Sequence, residues 1–104
     1  MKLGYAIHYV EDVARTMDFY EKAFGLKKAF MHENQYGEMA TGETKLGFAN
    51  HETASSHGFE YAKSSLQQLP GAFEIGFVTT DVEKVFQQAV SAGAKPVSAP
   101  RAKP

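Results

Sequence analysis

The chain has 104 residues, of which 43% are hydrophobic, and a formal net charge of −1 with acidic and basic residues interspersed. This length suits one domain with a modest core, and the balanced charge favours neither nucleic acid nor an anionic membrane as a partner. The lack of cysteine excludes a disulfide framework, thiolate metal sites and thiol chemistry. No run approaches the roughly 20 apolar residues that span a bilayer, and no signal peptide is evident, so we expect a cytoplasmic protein.

The first part of the chain predicts a strand followed by a helix. Residues 2–10 are rich in β-branched and aromatic side chains, which favours a strand. Asp12 is a good helix cap, because its carboxylate can accept from the free N–H groups of the first turn. Apolar residues then recur at helical spacing up to Phe24, and Gly25 is predicted to end the helix.

The next part predicts an antiparallel meander and then a loop. Short extended segments, separated by turns that contain glycine, are predicted at 26–32, 38–41 and 44–50. Residues 51–72 are polar and rich in Ser and Gln. We expect a connecting loop there, with a turn of helix at 61–69.

The opening pattern then returns. EIGFVTTDV at 74–82 resembles YAIHYVEDV at 5–13, and the two Asp-Val pairs are 69 residues apart. The repeat predicts a strand at 74–79, a second helix capped by Asp81, and a stop at Gly93. Because the spacing is too long for a solenoid repeat, we interpret it as a duplicated module.

These features together resemble the vicinal oxygen chelate superfamily, which contains glyoxalase I, bleomycin-resistance proteins and extradiol dioxygenases. The matching features are V-E-D-V, D-F-Y and F-G-L in the first unit, then F-V-T-T-D-V and A-G-A in the second. The resemblance implies an α+β fold, in which a βαβββ module at 1–50 and a connecting loop at 51–72 are followed by the βα part of a second module at 73–104.

Complete members of the family continue for three more strands. The resemblance therefore implies either a fragment of a longer protein or a chain whose strands are paired by another copy. Because unpaired sheet edges promote association, we expect a homodimer or a strand-swapped assembly.

The resemblance also implies where a metal ion would bind. Metal-dependent members hold a divalent ion with His and Glu side chains on the concave face of the sheet. The matching positions here are Tyr5, Gly47 and Glu74. Tyrosine is a poor ligand unless ionised, and glycine offers no side chain, so we expect no metal and no other cofactor. Glu74 is the one candidate ligand, and Zn, Ni, Fe or Mn would be expected if the protein is an enzyme.

The first strand predicts a ligand-binding wall. Tyr5, Ile7 and Tyr9 share one face by strand alternation, and such aromatic walls suit apolar ligands, although they also occur in plain cores. Gly47 and Lys45 are placed on the same face of the fourth strand. Lys45 would then pair with an anionic ligand or with Glu74, or extend into solvent.

Glu74 is also the predicted catalytic residue. Burial among aromatic side chains would make its carboxyl a candidate acid or base, whereas an exposed glutamate at the start of a strand is the alternative. The histidines are expected elsewhere. Strand alternation directs His8 towards the helices, and His32, His51 and His57 are expected at the surface, unless another register brings His51 to the mouth of the cavity.

The predicted function is binding of a small organic molecule, without a metal, by a protein of the glyoxalase/bleomycin-resistance type. One alternative is a metal-dependent lyase, isomerase or dioxygenase of the same superfamily, which would bind about one divalent ion per site and lose activity to a chelator. The other alternative is an inactive fragment that only self-assembles.

Overall fold

The computed structural model describes residues 1–102, which form an α+β fold around one four-stranded mixed sheet. The elements are β1 (Tyr5–Val10), α1 (Val13–Phe24), β2 (Lys27–His32), β3 (Tyr36–Ala40), β4 (Lys45–Asn50), α2 (His51–Ser55) and α3 (Val82–Ser91). The first fifty residues thus have the predicted βαβββ order. None of the helices within residues 1–102 has the length and apolar character needed to cross a bilayer. Residues 103 and 104, at the end of the predicted second module, lie outside the described residues.

The strand order in the sheet is β1-β4-β3-β2. Strands β2, β3 and β4 are antiparallel neighbours, which confirms the predicted meander. Strand β1 pairs with β4 in parallel, with Tyr5 opposite Lys45 and Tyr9 opposite Ala49. A parallel pair needs a long crossover, and α1 lies in the connection that leads from β1 to the meander. Strands β1 and β2 are therefore the two edges of this sheet.

Both predicted helix caps are confirmed. Asp12 Oδ1 accepts a hydrogen bond from the backbone N–H of Arg15 at 3.1 Å. Asp81 Oδ1 accepts in the same way from Lys84 at 3.1 Å. Helix α1 ends at Gly25, whose φ of 70° lies in the left-handed region that glycine adopts without steric cost.

The core lies between α1 and one face of the sheet. Its buried side chains come from α1, β3 and β4, and they are Val13, Met17, Met39, Leu46 and Phe48. Gly37 of β3 faces the same core, and a Cβ atom there would overlap the Met17 sulfur. The glycine therefore lets α1 pack closely on β3.

Two predicted elements are wrong. Residues 74–79 form no strand. Strand β1 has β4 as its partner, whereas no strand of the described chain pairs with 74–79. Residues 61–69 form no helix, although one turn there is closed by the Gln68 N–H, which donates to the Ser65 carbonyl oxygen at 3.3 Å. A short helix, α2, lies instead at the start of the predicted 51–72 loop, where the Asn50 side chain accepts from the N–H of Thr53 at 2.8 Å.

Candidate functional site

The face of the sheet opposite α1 carries most of the predicted site residues. On β4, Leu46 and Phe48 face the core, so Lys45 and Gly47 lie on the other face by strand alternation. The pairing of β1 with β4 then places Tyr5 beside Lys45 and Ile7 beside Gly47. We call this surface the open face and define it by Tyr5, Ile7, Tyr9, Phe30, Tyr36, Glu38, Lys45 and Gly47.

Two residues at the centre of the open face were not predicted. The Tyr36 hydroxyl donates a hydrogen bond to Glu38 Oε2 at 2.8 Å. Glu38 is only 6% exposed, and it is the one buried charged residue among residues 1–102. Tyr36 and Glu38 are two residues apart, which places both on one face of a strand. This signal was missed because β3 was predicted to begin at Glu38, two residues too late.

Gly47 makes room for this hydrogen bond. A Cβ atom at position 47 would lie 2.5 Å from Tyr36 Oη, so the phenol occupies the space of the missing side chain. Burial raises the pKa of Tyr36, and the hydrogen bond to Glu38 and the charge of Glu38 raise this pKa further. The Tyr36 hydroxyl therefore stays protonated and acts as a donor to Glu38. Tyr5 also raises the Tyr36 pKa, which brings the two phenols and the carboxyl into one interacting group.

Large apolar side chains on the open face remain accessible. Tyr5 is 55% exposed, Ile7 is 46% exposed and Phe30 is 49% exposed. The Lys45 Nζ atom lies 5.3 Å from the centre of the Tyr5 ring, in a cation–π arrangement. Tyr5 and Ile7 therefore form a surface and do not belong to the core of the described chain.

One end of the open face is covered by the loop after α2. The Tyr9 ring lies 4.8 Å from the Tyr61 ring and 6.2 Å from the Phe59 ring, measured between centroids. His51 Nδ1 lies 2.7 Å from Tyr61 Oη, and burial lowers the His51 pKa. His51 is thus half-buried at the start of α2 and contacts the aromatic residue that packs on Tyr9, whereas it was expected at the surface.

Glu74 lies outside the open face. It is exposed and lines an open groove of about 1000 Å³ on the α1 side of the sheet. The groove is mainly apolar and is lined by residues that include Leu3, Phe24, Phe73, Phe77, Val82 and Phe86. Lys45 also lines it and is the only predicted site residue common to the groove and the open face. The structure therefore brings five of the six predicted residues together and places Glu74 elsewhere.

His8 faces the core side of the sheet, as predicted. Its ring lies edge-on to Phe48 at 6.1 Å and to Phe73 at 5.1 Å. Burial lowers the His8 pKa, and Nε2 has no hydrogen-bond partner among the described residues. His32 and His57 are exposed, as expected.

These residues do not fit the metal site of the family. At the matching positions, Tyr5 offers a phenol, Gly47 offers no donor, and Glu74 lies outside the open face. Within residues 1–102 there is no group of three His, Cys, Asp or Glu side chains that could hold a metal ion. The centre of the open face instead holds the Tyr36 phenol hydrogen-bonded to the Glu38 carboxyl, with the Tyr5 phenol close enough to raise the Tyr36 pKa.

Comparison with known proteins identifies the family. The chain belongs to the Glyoxalase/Bleomycin resistance protein/Dioxygenase superfamily, whose model matches residues 2–104. No curated protein sequence matches significantly.

Several solved structures share the fold. A glyoxalase/bleomycin resistance protein/dioxygenase family enzyme from Burkholderia phytofirmans PsJN is 24% identical, with a TM-score of 0.72, and the match covers 99% of this chain and 82% of that one. A possible glyoxalase from Bacillus cereus is 23% identical, with a TM-score of 0.60 and coverage of 89% and 75%. A hypothetical protein from S. aureus is 18% identical, with a TM-score of 0.76 and coverage of 99% and 77%. At these identities the structures establish the fold alone.

Proposed function

We propose that the protein binds a small organic molecule on the open face, without a resident divalent metal. The observation that carries this proposal is the arrangement of half-exposed Tyr5, Ile7 and Phe30 on the same face as the buried Glu38–Tyr36 pair. Small-molecule sites typically combine apolar contact area with a few convergent polar groups that fix orientation. Membership of a superfamily that includes bleomycin resistance proteins supports the same function.

Each part of the open face has a distinct role in this proposal. The rings of Tyr5 and Phe30 contact the ligand and remove its apolar surface from water. Glu38 and Tyr36 provide the polar groups that orient it. Lys45 places a positive charge at the rim, next to the Tyr5 ring. The proposal contains no bond-making step.

A fragment screen tests the site. Isotope-labelled protein is titrated with small aromatic molecules, and we expect chemical-shift changes at Tyr5, Ile7 and Phe30. The substitution Ile7→Lys should abolish them, because it places a charged side chain in the apolar contact area. The matched control is Leu69→Lys, at a loop residue that is 93% exposed and outside the open face. Shift changes confined to the groove around residues 73–79, or no changes with any fragment, would contradict the proposal.

The rival function is a metal-dependent lyase, isomerase or dioxygenase. It is tested by metal analysis of protein purified without a chelator. We expect far less than one equivalent of metal per chain, because the family's ligand positions hold Tyr5, Gly47 and a Glu74 that lies outside the open face. About one equivalent of Zn, Ni, Fe or Mn would replace the binding proposal with the enzyme.

We also propose that the protein self-associates, as a homodimer or a strand-swapped assembly. The outer edge of β1 has no paired strand among residues 1–102, and open edges favour pairing with another chain. The adjacent groove exposes apolar side chains, including Leu3 at 70%, Phe73 at 67% and Val82 at 57%. Contiguous apolar surface of this kind is typical of interaction sites. If the open face binds nothing, this assembly is the remaining function.

Light scattering tests self-association. We expect a mass of at least twice the 11.4 kDa of one chain. The substitution Val78→Glu should shift the protein towards monomer, because Val78 lies in the groove and is fully exposed. The substitution Leu69→Glu, outside the groove, should leave the mass unchanged. A clean monomer for the unmodified protein would refute the proposal.

A further inference from the structure

We infer that the ligand of the open face carries a planar cationic group with two N–H donors, such as an amidinium or guanidinium. One N–H donates a hydrogen bond to Glu38 and the other donates one to Tyr36. This inference rests on the proposed function and names the chemical class of its ligand. Three observations carry it: an acceptor atom left free on a buried carboxyl, a missing counter-charge, and a second acceptor beside it.

The first observation concerns the two oxygens of Glu38. Oε2 accepts the hydrogen bond from Tyr36. Oε1 has no hydrogen-bond partner among residues 1–102. Within that range, His8 Nε2 is the only side-chain nitrogen or oxygen that is both fully buried and without a partner. Oε1 is therefore not fully buried and keeps contact with solvent. A carboxylate offers about four acceptor positions, so Glu38 retains acceptor capacity that a ligand can use.

The second observation concerns charge. The ion pairs formed by the described residues join Lys28 to Asp18 and Glu21, and one histidine contact joins His32 to Glu33. Glu38 takes part in none of these contacts, although it is almost completely buried. Burying a carboxylate without a cation is unfavourable, and a charged hydrogen bond is stronger than a neutral one. A cationic donor therefore stabilises Glu38 more than a neutral donor does.

The third observation concerns Tyr36. Its single hydroxyl proton is used in the hydrogen bond to Glu38, which leaves the lone pairs of Oη free to accept. Gly47 permits this position, because any side chain there would meet the hydroxyl. Glu38 Oε1 and Tyr36 Oη are thus two acceptors that belong to one hydrogen-bonded pair, and in this inference the cation donates one N–H to each. The exposed rings of Tyr5 and Phe30 add faces that attract cations.

Lys45 opposes this preference and is included in the test. Its ammonium lies over the Tyr5 ring on the same face and repels a bound cation. Because Lys45 is exposed and Glu38 is buried, water screens the repulsion more effectively than the attraction. The substitution Lys45→Gln should therefore leave binding of a cationic ligand unchanged or make it tighter.

The test compares three molecules of the same shape by NMR titration: benzamidine, benzamide and benzoate. We expect benzamidine to bind at least about tenfold more tightly than neutral benzamide, and benzoate to bind most weakly. The substitution Glu38→Gln should weaken benzamidine binding about tenfold and remove its advantage over benzamide. Glu43→Gln, at an exposed glutamate in the turn before β4, is the matched control and should change neither.

The outcomes separate this inference from the proposed function. Equal binding of benzamidine and benzamide on the open face would overturn the inference and leave the proposed function intact. No binding of the three probes or of any fragment would overturn both. If the Glu38→Gln protein does not fold, the ranking of the three probes on the unmodified protein still decides.

Discussion

Replacing Phe48 with alanine is expected to lower the free energy of unfolding by about 3–5 kcal/mol, the range typical of buried aromatic truncations. Phe48 is completely buried and is among the largest fully buried side chains in the described chain. Its ring lies 4.9 Å from Tyr20 of α1 and 6.1 Å from His8 of β1, so it joins the helix to the sheet. Removal leaves a cavity between these elements that neighbouring side chains fill only partly.

This loss is a large part of the stability of a small domain, which is typically about 5–15 kcal/mol. Urea unfolding monitored by circular dichroism measures it as a lower midpoint with an unchanged slope. The matched control is Phe59→Ala, which removes the same ring where it is 52% exposed, and we expect a loss below about 1.5 kcal/mol because less apolar area is uncovered. Equal losses in the two variants would show that Phe48 does not hold α1 on the sheet.

The first module is predictable from sequence because its signals are local. Asp12 and Gly25 mark the ends of α1 by their own chemistry, and strand alternation correctly assigns His8 to the core side. Residues 74–79 carry the same local pattern as β1 but form no strand. A strand is stabilised by cross-strand neighbours, so its formation depends on distant parts of the chain that local patterns do not report.

On the open face, too, the local signals were predictable and the contacts between strands were not. Tyr5 and Ile7 could be placed on it by alternation alone, and Gly47 by a match of position with the family. The role of Gly47 could not be deduced, since the phenol that fills its space comes from Tyr36, on a different strand. The burial of Glu38 likewise depends on its cross-strand neighbours, which are Gly47 on β4 and Phe30 on β2. A boundary error of two residues in β3 was enough to hide the Glu38–Tyr36 pair.

The substitution Gly47→Ala is expected to disrupt that pair and to cost about 1–3 kcal/mol of stability, as overpacking of a tight site does. The new Cβ atom would lie 2.5 Å from Tyr36 Oη and 3.1 Å from Tyr36 Cζ, so the ring must move away. The hydroxyl then loses its position over Gly47 and its hydrogen bond to Glu38. Benzamidine binding should weaken about tenfold at the same time, because one of its two acceptors is displaced.

A double-variant cycle separates this mechanism from a general loss of packing. Tyr36→Phe removes the atom closest to the new methyl group, so adding Gly47→Ala to Tyr36→Phe should cost much less stability than adding it to the unmodified protein. Gly4→Ala is the matched control, because no atom lies within 4 Å of a Cβ at that position, and it should leave stability and binding unchanged. Strictly additive losses in the cycle would show that Gly47 does not make room for the Tyr36 hydroxyl.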